Sequence, residues 1–126
     1  MRGDVETASF DWGSEGIRVA PPGTGCATFV VMDVTFAPGG SHGFHLHPDQ
    51  DELIVVTDGR IVQFLELEAR ELGPGDSVYV DRGVVHGSYN DFAEPATLQV
   101  VLGPPVGPGG YAAADVSGDE PWASLR

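Results

Sequence analysis

At 126 residues and 13.2 kDa the chain has room for one hydrophobic core and little for a second, and its 41% hydrophobic content lies well above that of a disordered chain. The net charge of −13, with six arginines and no lysine, argues against a nucleic-acid or anionic-membrane surface and excludes lysine Schiff-base chemistry. A single cysteine, Cys26, leaves no intrachain disulfide framework, so it reads as a small core or sheet residue.

No apolar run approaches the ~20 residues of a membrane helix. The start, Met1-Arg-Gly-Asp-Val-Glu6, lacks the basic-then-apolar pattern of a signal peptide, so the expected compartment is the cytoplasm. The 18 glycines and 10 prolines are spread along the chain, as turns between short strands would require. Residues 1–25 are irregular, with at most an edge strand around 17–20. From 28 to 36 the alternation is clear: Val30, Met32, Val34 and Phe36 form one apolar face, and Asp33 and Thr35 point the other way.

Further extended segments follow at 42–47, 52–57, 60–66, 77–80, 84–89 and 96–102. Asp58-Gly59, Gly73-Pro-Gly-Asp76 and Asp81-Arg-Gly83 provide turns between them. About eight short strands at this spacing predict an all-β fold, an antiparallel sandwich or barrel. The tail from 104 to 126 is too irregular to pair by eye, although Tyr111 and Trp122 imply that it packs onto something. The chain reads as one domain, 1–126, with its barrel core at about 26–103. Leu53 and Val55 make the second face of the 52–57 strand apolar as well, which calls for cover from the tail or, preferentially, from a homodimer partner.

His45 and His47 lie two residues apart, so on a strand both rings project to one face. Glu52 opens the next strand after a four-residue connection. His86 completes the set if the fold returns its strand to the same place. Three imidazoles and a carboxylate suit one divalent transition metal ion, Fe(II), Mn(II), Ni, Cu, Co or Zn, and suit Ca²⁺ or Mg²⁺ poorly. By the same parity, His42 falls on the opposite face as a rim residue. Met32, Phe36, Gln63, Ser88 and Gln99 are candidate substrate-pocket residues. Gln50 and Asp51 read first as solvated loop residues and second as hydrogen-bond partners of a metal ligand, and Arg60 and Arg82 as candidates to attract an anionic substrate.

The pattern Gly39-x5-His45-x-His47-x4-Glu52-x6-Gly59 resembles the first motif of the cupin superfamily at every position. Gly75-x5-Asp81-x-Gly83-x2-His86-x3-Asn90 resembles the second, with Asp81 where that motif has proline. The 15 residues between Gly59 and Gly75 match small single-domain cupins of the cupin 2 type. The resemblance implies a jelly-roll-like β-barrel, often dimeric, with metal ligands at His45, His47, Glu52 and His86. It also implies a small-molecule substrate and, as the first expectation, dioxygenase-type oxidoreductase chemistry with Fe(II) or Mn(II) favoured as the metal. A redox-neutral isomerase, epimerase or lyase acting on a sugar acid or related molecule is the second expectation. A non-catalytic ligand-binding or sensor module is the third.

Overall fold

The computed structural model describes residues 5–126. Eleven strands run in chain order: β1 (Thr7–Phe10), β2 (Gly13–Val19), β3 (Val30–Phe36), β4 (Ser41–Leu46), β5 (Asp51–Asp58), β6 (Ile61–Leu65), β7 (Glu68–Leu72), β8 (Ser77–Val80), β9 (His86–Tyr89), β10 (Ala96–Gly103) and β11 (Ala114–Asp115). They pair antiparallel into a six-stranded sheet, β1-β2-β3-β10-β5-β8, and a five-stranded sheet, β11-β4-β9-β6-β7. The all-β, two-sheet expectation holds. The word barrel applies only loosely: the two sheets are not closed onto each other, with β1 and β8 at the edges of one and β11 and β7 at the edges of the other. No helix among the described residues is long and apolar enough to cross a membrane.

The alternation read in 28–36 becomes the buried row of β3, in which Val30, Met32, Val34 and Phe36 are all buried. Ala96, Leu98, Val100 and Leu102 of β10 and Ile54 and Val56 of β5 complete the apolar layer between the sheets. Glu52 begins the same β5 row, because residues two apart share a face. A carboxylate is thereby carried inside.

The tail covers the outer face of the five-stranded sheet, where Val116 and Trp122 pack on Phe44, Phe64, Val85 and Tyr89. Phe44 and Phe64 meet edge to face at 5.0 Å, worth about 1 kcal/mol beyond their burial. The Arg126 guanidinium lies 4.0 Å from the centre of the Tyr89 ring. The tail therefore packs as its aromatics implied, but it also pairs: β11 bonds to β4, which its irregular composition did not suggest. It leaves the outer face of β5 and β8 uncovered, with Leu53 38% and Tyr79 56% exposed. Cys26 lies in the loop between β2 and β3, partly buried, and not in the sheet.

The motif glycines do different jobs. Gly59 sits at φ +73, and a Cβ there would come within 2.3 Å of the Pro95 carbonyl oxygen and 2.8 Å of Ala96 Cα. Gly39 has φ +81, with nothing within 4 Å of its Cβ position. Gly59→Ala therefore meets both strain and a backbone clash, whereas Gly39→Ala meets strain alone. The expected losses of unfolding free energy are about 3 kcal/mol or more for Gly59→Ala and about 1 kcal/mol for Gly39→Ala. Urea denaturation measures both, and equal losses would contradict the clash.

Candidate metal centre

His45, His47, Glu52 and His86 come together. One ligand atom from each lies within 4.8 Å of the others. His86 is brought in because β9 pairs with β4, placing His86 directly across from His45. Glu52 arrives from the opposite sheet. Its Oε2 lies 2.7 Å from His86 Nε2 and 3.0 Å from His47 Nε2.

Each ring is held from behind by a backbone carbonyl. Nδ1 of His45 faces the Gly43 oxygen at 2.6 Å, Nδ1 of His47 the Ala112 oxygen at 2.8 Å, and Nδ1 of His86 the Val84 oxygen at 3.0 Å. A carbonyl can only accept, so in the neutral ring Nδ1 carries the proton and Nε2 offers a bare lone pair. Carbonyl support of this kind orients metal-binding imidazoles and fixes their tautomer. Glu52 Oε2 and His86 Nε2 are buried and close without the alignment of a hydrogen bond, so both are orphaned polar atoms. Two facing acceptors inside an apolar layer fit a divalent cation between them.

Burial penalises the Glu52 carboxylate, but His47 and His86 outweigh that effect and hold it well below the usual carboxylate range. Burial likewise opposes charge on His47, and here the Glu52 carboxylate prevails and raises it. His45, where burial dominates and His86 adds to it, is pushed down to about 4. The Asp81 departure leaves the neighbouring turn intact: Val84 N donates to the Asp81 carbonyl at 3.1 Å and Gly83 N to the His47 carbonyl at 2.8 Å.

His42 is a correction. Across the β4–β9 ladder His42 faces Ser88 and His45 faces His86, so Gly43 and Phe44 together oppose Gly87 alone. This β-bulge inserts one residue, reverses the parity and turns His42 to the same side as His45. Its ring packs against Trp12 at 4.6 Å, Phe36 at 5.0 Å and His45 at 6.3 Å, and burial lowers its pKa to about 4.

A cavity of about 330 Å³ opens beside His45, His47 and Glu52, with Met32, Val34, Val100 and Leu102 as apolar wall. Of the predicted pocket residues, Met32 lines it. Phe36 is fully buried and backs His42 instead. Gln63 accepts a 2.6 Å hydrogen bond from Ser88, so this buried pair satisfies itself, and Gln63 lines a different cavity beside Arg70. Gln99 lies on the outer face, across from Asp33 and Val55. Arg60 and Arg82 are tied to Glu71 at 2.7 Å and Asp51 at 3.1 Å, and neither lines the cavity.

Three further residues belong to this region. Gln50, expected in solvent, is buried; it donates to the Pro104 and Gly110 carbonyls and accepts from Ala112 N, clamping the tail segment whose carbonyl supports His47. Glu15 points inward from β2 across from Val34, and Tyr111 donates to its Oε1 at 3.3 Å. The Glu15-x-Ile17 alternation was the available signal for Glu15. Nothing local marked Gln50 or Tyr111.

The comparisons with known proteins agree with this geometry. Residues 32–102 match the family model described as "Cupin domain". Germin-like protein 3-8 of Oryza sativa subsp. japonica is 35% identical over 74 residues, 55% of this chain and 33% of that protein. Oxalate oxidase GF-2.8 of Triticum aestivum is 28% identical over 87 residues, 63% and 39% respectively. The chain thus spans between a third and two fifths of the length of these two relatives. Among solved structures, a sugar phosphate isomerase of the cupin superfamily from Silicibacter pomeroyi superposes with a TM-score of 0.62 at 28% identity. The match covers 71% of this chain and 59% of that one.

The buried rings set a pH dependence in metal-free protein. Near pH 6.5 the unfolded chain protonates its histidines, while His42 and His45 in the fold stay neutral down to about pH 4. Stability present above pH 6.5 is therefore lost as the pH falls towards 4. His47, raised in the fold, contributes fully below pH 6.5 and loses its contribution only as the pH rises, so it does not offset that loss. The Glu52 contribution fades only at lower pH still, below the ordinary carboxylate value. Chelator-treated protein should lose on the order of 3 kcal/mol per ring between pH 6.5 and 4. His42→Gln should remove about half of that loss. Urea midpoints across the range measure it, and an unchanged slope in His42→Gln would refute the assignment.

Proposed function

The chain belongs to the cupin family, and from that premise we propose that it is a metal-dependent enzyme whose His45, His47, Glu52 and His86 hold one divalent transition metal ion, Fe(II) or Mn(II) foremost. The observation that carries the reading is the set of four ligand atoms within 4.8 Å, backed by a carbonyl behind each imidazole. Such an ion supplies Lewis acidity and one-electron redox chemistry. The reaction class favoured is dioxygenase-type oxidation of a small organic substrate. Likeness to an oxalate oxidase supports the oxidoreductase class without specifying the substrate.

The chain's own residues do the rest. The carbonyls behind Nδ1 keep all three imidazoles in one tautomer and orientation. Met32, Val34, Val100 and Leu102 exclude water from the substrate's apolar body. A redox-neutral isomerase is the second reading, supported by the Silicibacter likeness and by His42, a neutral imidazole in the cavity wall able to accept a proton. The uncovered face bearing Leu53 and Tyr79 favours a homodimer.

Protein purified without added metal should carry close to one equivalent of transition metal, and His86→Ala should weaken its retention by about 100-fold or more. Full metal content in His86→Ala would overturn the four-ligand site. Substrate-dependent O₂ uptake by the iron or manganese form supports oxidation, and turnover without it moves the reaction to the isomerase reading. Light scattering should return twice the 13.2 kDa chain mass; a monomer would remove the dimer.

A further inference from the structure

Resting on the metal-site reading above, we infer that the part of this cavity beyond the metal selects a substrate tail of zero or positive charge that presents hydrogen-bond donors, amine or hydroxyl, to Glu15, and that it disfavours a carboxylate or phosphate on that tail. The charged groups lining it are carboxylates: Glu15, Glu52 and Asp115.

No arginine lines the cavity among the described residues, and the chain has no lysine. Arg18 is tied to Asp33 at 2.6 Å on the outer face of β3, and Arg60, Arg82 and Arg126 are each paired to a carboxylate elsewhere. Arg70 lies at the second cavity. Arg2 lies outside the described residues. Beyond the metal's own open positions, recognition of a carboxylate or phosphate calls for an arginine fork, a lysine or a cluster of backbone N–H groups. The described lining supplies no such cation.

What it does supply is acceptors. Glu15 is held in place by the Tyr111 hydroxyl on Oε1, and no described protein group donates to its Oε2. Burial, with Glu15 beside it, raises the Tyr111 pKa, so the phenol keeps its proton and stays a donor to the carboxylate. Asp115 lies across from His45 in the β4–β11 pair and so shares its face. His42 adds an imidazole whose ring nitrogens have no hydrogen-bond partner among the described residues, seated between Trp12 and Phe36. Two carboxylates and an imidazole around an apolar wall match a donor-rich, uncharged or cationic molecule.

The test uses ligands that share one metal-chelating head and differ in tail charge: glycine hydroxamate, acetohydroxamate and the mono-hydroxamate of malonic acid, titrated calorimetrically into Mn(II)-loaded protein. The ammonium-tailed ligand should bind at least about tenfold tighter than the carboxylate-tailed one, with the neutral ligand between. Glu15→Gln should shrink that ratio several-fold, and Asp115→Asn should shrink it independently. Equal binding of the charged pair, or preference for the carboxylate tail, overturns the inference while leaving the metal site standing. A ratio unmoved in both variants also overturns it. A chain that takes up no Mn(II) removes both readings together.

Discussion

The buried carboxylate of Glu52 is the constraint on which the rest of this structure depends. It sits in the apolar layer at the start of the row that continues through Ile54 and Val56, with His86 and His47 nitrogens at 2.7 and 3.0 Å. An ionised carboxylate in such surroundings is costly unless a positive charge answers it. Without metal, the Glu52 carboxylate favours a proton on His47 against the cost of burial, so that imidazole is raised, while burial pushes His45 down. A proton satisfies one face of one oxygen. A dication would meet Glu52 and three lone pairs at once, and the fixed Nδ1 partners ensure that those lone pairs already converge.

Strand geometry delivers these groups in two different ways. Glu52, like Met32 and Val100, follows simple alternation, and its place in the interior can be read from β5 without any fold. His42 does not, because parity counting assumes an unbroken ladder, and the two-against-one mismatch at Gly43, Phe44 and Gly87 breaks it. Bulges near functional sites re-aim side chains in this manner, and the sequence around His42 shows only a glycine where one occurs. The bulge places a neutral imidazole in the cavity wall without adding a fourth ring to the cluster.

Legibility follows the range of the interaction. Short-range patterns found the strands with β-branched, alternating sequence and the four clustered residues. They missed β7, whose Glu68-Ala-Arg-Glu-Leu72 is composed of good helix formers and whose hairpin turns at Glu66, a non-glycine residue at φ 52. They misplaced Gln99, which belongs to the solvent-side row of β10 by the same alternation that set Leu98 and Val100 inside. They could not find what depends on distant chain. The Gln50 side chain is buried because Pro104, Gly110 and Ala112 come back to it, and Glu15 belongs to the cavity because Tyr111 closes over it.

That returning tail joins packing to chemistry. From 104 to 112 it is clamped by Gln50 and lends the Ala112 carbonyl to His47; at Tyr111 it steadies Glu15; at Ala114–Asp115 it extends the sheet beside His45; and through Val116 and Trp122 it seals the outer face over Phe44 and Phe64. One irregular segment therefore supports a candidate ligand, contributes two of the polar groups in the cavity and covers a hydrophobic cluster. Packing of Val116 and the half-buried Trp122 helps to fix a segment whose strand is only two residues long, so apolar contacts on the far side of the sheet support the order of the cavity. The aromatic contacts and the metal cluster share no atoms, yet the position of the Ala112 carbonyl, and with it the aim of His47, is held between them.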